Sequence, residues 1–297
     1  MWILFALLSP AVYTITNFVD KYLLSRKVKD YNALPIYTAS VSFVFGIIWW
    51  TVAGFPTLPL KEGTIIIFTG IITVFSIVVY FKALSLQETS VVILLFQLSP
   101  LFTLLLSALF LHESITNKQY IGFIIILLAT CLLAIPKQKE SWKFPKGFWL
   151  IALYDMMFAA IGILLKYVTY ESSFTQIVSY EGFGMGIGGI LIYLFMPTIR
   201  LAFLKSQKIL FKRALPIIIL NEIIFIIAKS LGYYAFVIGS VTLVSVLSNI
   251  QVFFGLFFGW ILTVLFPHSF KEDISKKNLV LKVGSALLLF IGLYLMI

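Results

Sequence analysis

The sequence predicts an all-α membrane protein with ten transmembrane helices, arranged as two inverted five-helix repeats. Hydrophobic residues make up 61% of the 297 residues, and charged residues only 11%, well below the roughly 25% that soluble domains carry. The apolar segments are about 20 residues long, which is the length of a helix that crosses a bilayer. Backbone groups in lipid must hydrogen-bond internally, so only α-helices or a closed β-barrel can span a bilayer. The segments lack the alternation of polar and apolar residues of a membrane β-strand, which favours helices.

Ten apolar segments of this length follow one another along the chain. Short breaks that carry proline, glycine or charge separate them, and none is long enough for a soluble domain. The longest break, 197–213, is expected to hold a short amphipathic surface helix. The predicted spans, numbered one to ten, are 2–24, 33–54, 62–84, 90–112, 118–136, 146–168, 174–196, 214–236, 240–266 and 277–297.

Lysine and arginine are concentrated on one side of the predicted spans, which we name the basic face. The other side holds little more than Lys61 and Lys118. Because basic loops stay cytoplasmic, we expect a plasma (inner) membrane protein with both termini extracytoplasmic. The net charge of +10 is therefore interpreted as a topology signal and not as nucleic-acid binding. The basic face is defined by Arg26, Lys27, Lys29, Lys137, Lys139, Lys143, Lys146, Arg200, Lys205, Lys208, Lys212, Arg213, Lys271, Lys276 and Lys277.

The two halves of the chain, 1–136 and 137–297, repeat each other. The stretch 80–84 (Tyr-Phe-Lys-Ala-Leu) aligns with 232–236 (Gly-Tyr-Tyr-Ala-Phe), and the same shift sets Gln97 against Asn249. Each half has five spans, and an odd number inverts the second half relative to the first. Inverted repeats are typical of transporters, whose sites lie near the midplane between the repeats.

Polar side chains inside the spans are the candidate site residues, because an ionisable group costs roughly 2.5–3.5 kcal/mol at the bilayer centre. Asp20 and Lys82 lie near helix ends and are expected to snorkel to the interface. The remaining polar side chains either line a cavity or bond helices together. The predicted substrate and coupling cavity comprises Asn17, Tyr80, Gln97, Asp155, Tyr180, Glu181, Asn221, Glu222, Lys229, Asn249 and Gln251.

The second half carries most of the ionisable candidates. Asp155 and Glu222 lie at matching depths from the basic face, so both cannot ionise cheaply, and Glu222 is the first choice for a proton-coupling residue. Glu181 and Lys229 form a second level nearer the opposite face. The alternative is a buried ion pair that only holds helices together. In span seven, Gly182 and the following glycines predict close helix packing, with a flexible, moving helix as the alternative.

A family resemblance rests on residues 80–130. Ala83-Leu84 through Ser90, Leu98-Ser99-Pro100, Leu111-His112-Glu113, and then Gln119 and Gly122, resemble the EamA type of the drug/metabolite transporter superfamily. The second half departs from the pattern, with Val252 at the Pro100 equivalent and His268-Ser269 where His-Glu is expected. The resemblance implies export of amino acids, other metabolites or drugs, or carriage of nucleotide sugars or phosphorylated sugars, and so leaves the substrate open. It also implies that spans five and ten are peripheral, and that both termini are cytoplasmic, against the charge bias.

Three functions are weighed from the sequence. The first is a secondary transporter that exports a small metabolite, an amino acid or drug-like compound, by alternating access, with proton coupling left open. A lipid or lipid-linked sugar carrier of the same fold is the second. A membrane-embedded enzyme is the third and is disfavoured, because no catalytic motif is present. We expect no cofactor, no metal site and no nucleic-acid partner, and a monomer or homodimer in the bilayer.

Overall fold

Every regular element in the described part of the chain is a helix. The computed structural model describes residues 2–28, 30–110, 116–132, 146–166, 168, 172–238, 248–273 and 275–296. The α-helices within these ranges are α1 Trp2–Tyr22, α2 Leu34–Val52, α3 Leu60–Leu86, α4 Thr89–Leu95, α5 Ser99–Phe110, α6 Asn117–Leu132, α7 Phe148–Lys166, α8 Phe174–Phe195, α9 Pro197–Arg213, α10 Leu215–Ile238, α11 Gln251–Leu265 and α12 Lys276–Met296.

Seven helical segments are long and apolar enough to cross a membrane, which confirms a multi-pass membrane protein. Three shorter apolar segments, Thr89–Thr103, Asn117–Ala129 and Gln251–Leu265, lie where spans four, five and nine were predicted. The count of ten stays a prediction, because stretches next to these segments, including Leu111–Glu113, lie outside the described residues. The seven longer segments are Trp2–Lys27, Tyr31–Val52, Leu60–Leu86, Phe148–Leu165, Phe174–Phe195, Leu215–Gly232 and Lys276–Leu295.

Predicted span four is not one continuous helix. α4 ends at Leu95, a 3₁₀ turn occupies Phe96–Leu98, and α5 begins at Ser99. Pro100 has no backbone N–H, so the carbonyl of Phe96 loses its donor four residues on, and the chain tightens into 3₁₀ bonding. The break that Pro100 causes therefore falls in the turn before it.

The segment between spans seven and eight is helical, as predicted. α9 starts at Pro197, where a proline is tolerated because the first N–H of a helix is unpaired anyway. Ile199 and Ala202 are buried, whereas Leu201 and Lys205 are exposed. The helix therefore presents one covered side and one open side.

The glycines of α8 bring it against α2 and α3 at backbone distance. A Cβ on Gly182 would lie 2.7 Å from the Cα of Gly46, and a Cβ on Gly70 would lie 2.8 Å from the Cα of Gly184. Close packing of the glycine-rich helix is therefore confirmed. α7 also packs on α3, and we refer to α2, α3, α7 and α8 as the four-helix group.

α1 and α10 pack on each other as a separate pair. The Ser9 hydroxyl on α1 donates to the carbonyl of Ala228 on α10 over 2.9 Å, and Gly232 leaves room beside it. α4 packs on α11, and α6 packs on α12. Several polar side chains of the spans gather where the α1–α10 pair meets the four-helix group.

Candidate functional site

A hydrogen-bonded network links α1 to α3 between the pair and the four-helix group. The Tyr80 hydroxyl donates to Asp20 Oδ2 over 3.1 Å and accepts from Asn17 Nδ2 over 3.1 Å. Asn17 and Asp20 are three residues apart on α1, so both face the same side of that helix. One tyrosine hydroxyl therefore serves two side chains of the neighbouring helix.

The second half of the chain adds two amides to this network. Asn221 on α10 donates to Asp20 Oδ1 over 2.9 Å, and Gln251 at the start of α11 donates to Asn17 Oδ1 over 3.2 Å. We call these five residues, Asn17, Asp20, Tyr80, Asn221 and Gln251, the central network. Four helices, two from each half of the chain, therefore contribute to it.

The central network is only partly covered by the surrounding helices. Its members other than Tyr80 are partly exposed, although they lie between packed helices. The Tyr80 ring lies 6.0 Å from the Phe96 ring and 5.7 Å from the Tyr154 ring, centroid to centroid. Aromatic faces next to amides and a carboxylate form an amphipathic wall that suits a small organic molecule with a polar head.

Two further polar contacts cross the same contact region on α10. Glu222 accepts a hydrogen bond from Ser42 on α2 over 2.8 Å, and Lys229 forms an ion pair with Glu181 on α8. Both partners of the ion pair are partly exposed. Lys229 lies two turns beyond Glu222, roughly 10 Å along the helix, so the contacts occupy different depths.

The structure assigns Asp20 a different place from the one expected. It does not snorkel to the interface; its carboxylate accepts from Tyr80 and Asn221 in the interior. The physical reason is that the helix does not end there, because a π-helical turn continues it to Lys27. The carboxyls that interact electrostatically with Glu222 include Asp20 and Glu181. Asp155 lies on α7, which packs on α3 and α5 instead of α10.

The other predicted site residues lie outside the central network. Asp155 and Gln97 are 1% and 3% exposed, and each has a carboxyl or amide oxygen without a hydrogen-bond partner among the described residues. The Tyr180 hydroxyl accepts from the backbone N–H of Leu58 over 3.2 Å, which places it against the α2–α3 connection. Asn249 lies in the turn before α11.

A second polar cluster lies near the basic face, and the sequence analysis missed it. Lys282 on α12 donates to Ser90 Oγ over 2.7 Å, and pairs with Glu272 at 3.2 Å and with Glu88. Ser90 also donates to Glu272. We call these four residues the Lys282 cluster. The available signal was a lysine six residues inside the last predicted span, where a charge needs a partner.

The fold and the polar contacts define a multi-pass helical membrane protein with an internal polar site. The sequence profile of the EamA-like transporter family matches residues 1–135. The match covers the first part of the chain, and the family is part of the drug/metabolite transporter superfamily. The resemblance drawn from the motifs at 80–130 is thereby confirmed.

Comparison with solved structures supports the fold. One protein of known crystal structure matches with a TM-score of 0.56 at 18% identity. The match covers 95% of this chain and 97% of the other. At this identity the likeness concerns the fold alone. No curated protein matches the chain.

Proposed function

We propose that this protein is a secondary transporter that moves a small metabolite by alternating access, with the central network as its substrate and coupling site. The observation that carries the proposal is the meeting of five polar side chains from four helices, partly exposed, between the pair and the four-helix group. The match of residues 1–135 to a transporter family supports a small-molecule substrate in a bilayer protein. It also favours transport over catalysis.

The pattern of helix contacts supports two inverted repeats, 1–136 and 137–297. In such a repeat, span one corresponds to span six, and span three to span eight. The contact of α1 with α10 joins spans one and eight. The two-fold-related contact joins spans six and three, and it is the contact of α7 with α3. The contacts α2–α8, α4–α11 and α6–α12 each join a span to its own counterpart, as a two-fold axis requires.

Two carboxyls, Asp20 of the central network and the neighbouring Glu222, support coupling to protons. Asp20 and Glu222 interact electrostatically, and their hydrogen-bond partners are the neutral side chains of Tyr80, Asn221 and Ser42. A proton taken up by either carboxyl relieves the repulsion between them. We propose export across the plasma membrane, with the basic face in the cytoplasm and protons returning through this site.

The first test is a substrate screen followed by transport. Compounds from a metabolite library that raise the melting temperature of the purified protein bind the folded state. They are then tested in proteoliposomes with an imposed pH gradient. Glu222→Gln keeps the side-chain shape and removes the proton site. We expect the stabilisation by substrate to survive, and the pH-driven uptake to fall roughly tenfold or more.

A matched control is Asp30→Asn, the same carboxyl-to-amide change outside the membrane-spanning segments, which should transport like the wild type. If Glu222→Gln and Asp20→Asn both transport with unchanged pH dependence, the coupling proposal fails. If no compound stabilises or crosses the membrane with the wild-type protein, the transport proposal fails.

A further inference from the structure

Lys282 joins three segments of the chain at one buried point. Its ammonium contacts Glu88 and Ser90 around the start of α4, and Glu272 in the connection that precedes α12. Lys282 is 3% exposed and Ser90 is 2% exposed. A buried ammonium with three oxygen partners holds these segments in one arrangement, since removing a partner leaves charge uncompensated.

A second lysine holds the same stretch, and it also interacts electrostatically with Glu88 and Glu272. Lys21, near the end of α1, donates to the carbonyls of Leu84 over 2.7 Å and Gln87 over 2.6 Å. The stretch Leu84–Ser90 is therefore fixed to α1 by Lys21 and to α12 by Lys282. Leu84 lies four residues beyond Tyr80 on α3, about 6 Å toward the basic face. The stretch thus begins nearer the basic face than Tyr80 of the central network does.

We propose that Leu84–Ser90 is the gate of the basic face, and that the Lys282 cluster locks it closed in this structure. The inference rests on the proposed alternating-access transport. Opening toward the basic face moves Glu88 and Ser90 away from Lys282 and lets the substrate pass.

The two carboxylates of the cluster have different parts in the gate. Glu272 and Lys282 are ten residues apart at one end of the α11–α12 hairpin, so they stay together when the gate moves. Glu88 has a side chain 22% exposed, so water replaces the ammonium when it leaves. The lock therefore opens without leaving a bare ammonium in an apolar environment, which would cost several kcal/mol.

The test measures access to the central network from each side of the membrane. The single native cysteine, Cys131, is replaced by alanine, and Gln251→Cys places a thiol in the central network. A membrane-impermeant methanethiosulfonate is applied to right-side-out and to inside-out vesicles. A separate Lys277→Cys variant, at an exposed position, identifies which vesicles present the basic face.

Glu88→Gln weakens the lock and keeps the Lys282–Glu272 pair, so the protein still folds. We expect modification of Cys at position 251 from the basic face to rise roughly tenfold, because loss of a charge-assisted hydrogen bond shifts the closed–open equilibrium by that order. Lys282→Met with Glu272→Gln should have the same effect without a stranded carboxylate. Lys276→Met, an exposed charge change on the same helix, is the control and should leave the rate unchanged.

Unchanged labelling in both lock variants, with the melting transition intact, would show that the cluster only staples helices and would overturn the gate. If the thiol is modified from neither side in any variant, then the central network is not an accessible site. In that case the transport proposal itself falls, independently of the gate.

Discussion

Glu272 shows how a single side chain responds to burial next to a shared cation. Two carboxyls, Glu272 and Glu88, meet one ammonium from Lys282. Burial disfavours the charged carboxylate of Glu272, and this effect is larger than the attraction to Lys282. The pKa of the Glu272 carboxyl is therefore raised above its ordinary value of 4.5. The folded protein then binds a proton at this group more tightly than the unfolded chain does.

The sign of the pH dependence follows from this direction. The stabilising contribution of protonated Glu272 is fully present below pH 4.5 and is lost as the pH rises through the higher pKa of the folded state. Glu272→Gln removes the titrating group. As the pH rises above 4.5, the melting temperature of the variant should therefore fall less than that of the wild type. Differential scanning fluorimetry in detergent across this range measures both curves. Parallel curves would contradict the assignment.

Close glycine contacts determine how α2, α3 and α8 fit as elements. A Cβ on Gly184 would overlap the carbonyl oxygen of Ile67 on α3, which cannot rotate away. Gly162 on α7 has nothing within 4 Å of such a Cβ and serves as a matched site. Replacement by alanine therefore tests helix packing at Gly184 and intrinsic helix propensity at Gly162.

Gly184→Ala should destabilise the folded protein by about 1–3 kcal/mol, because α3 and α8 must move apart. Gly162→Ala should stabilise it by up to about 1 kcal/mol, since alanine favours the helix and meets no neighbour. Thermal unfolding of the two variants in one detergent checks both signs. A stable Gly184→Ala variant would indicate that the α3–α8 contact is looser in solution.

The helices themselves were readable from the sequence, whereas their interruptions and partners were only partly so. Hydrophobic length located α1, α3 and α8 within a few residues, because a bilayer-spanning helix depends on local composition. Distance from a helix end misplaced Asp20, because its role is set by Tyr80 and Asn221, which lie 60 and 201 residues away. Contacts of that separation leave no local pattern in one sequence.

The orientation of the whole molecule in the membrane is a further prediction. The basic residues near the ends of α1 and α9 and before α12 favour cytoplasmic placement of that face. A reporter fused to the C-terminus that is active only in the cytoplasm should therefore stay silent. A reporter fused to the Lys205 region, in the connection between α8 and α10, should be active. The reverse pattern would show that the family's usual orientation overrides the charges.

At the same scale, the inverted repeat was suggested by weak similarity between short stretches such as 80–84 and 232–236. Apolar helices resemble one another by chance, so the sequence alone could not show whether these matches reflect a repeat. The exchange of contacts between α1–α10 and α3–α7 is a geometric relation, and it appears only when partners are known. A multi-pass helical protein was therefore within reach of the sequence, and helix pairing was not.

The Lys282–Glu272 pair has a consequence for how the protein is made. A lone lysine six residues inside the last span would raise the cost of inserting that helix by roughly 2.5–3.5 kcal/mol if it came to lie at the bilayer centre. Glu272 emerges from the ribosome only ten residues earlier and is its partner in the folded protein. The final helix can thus enter the bilayer with its own counter-charge, before it finds α4, and a chain that carries a neutral residue at 272 should insert its last helix less efficiently.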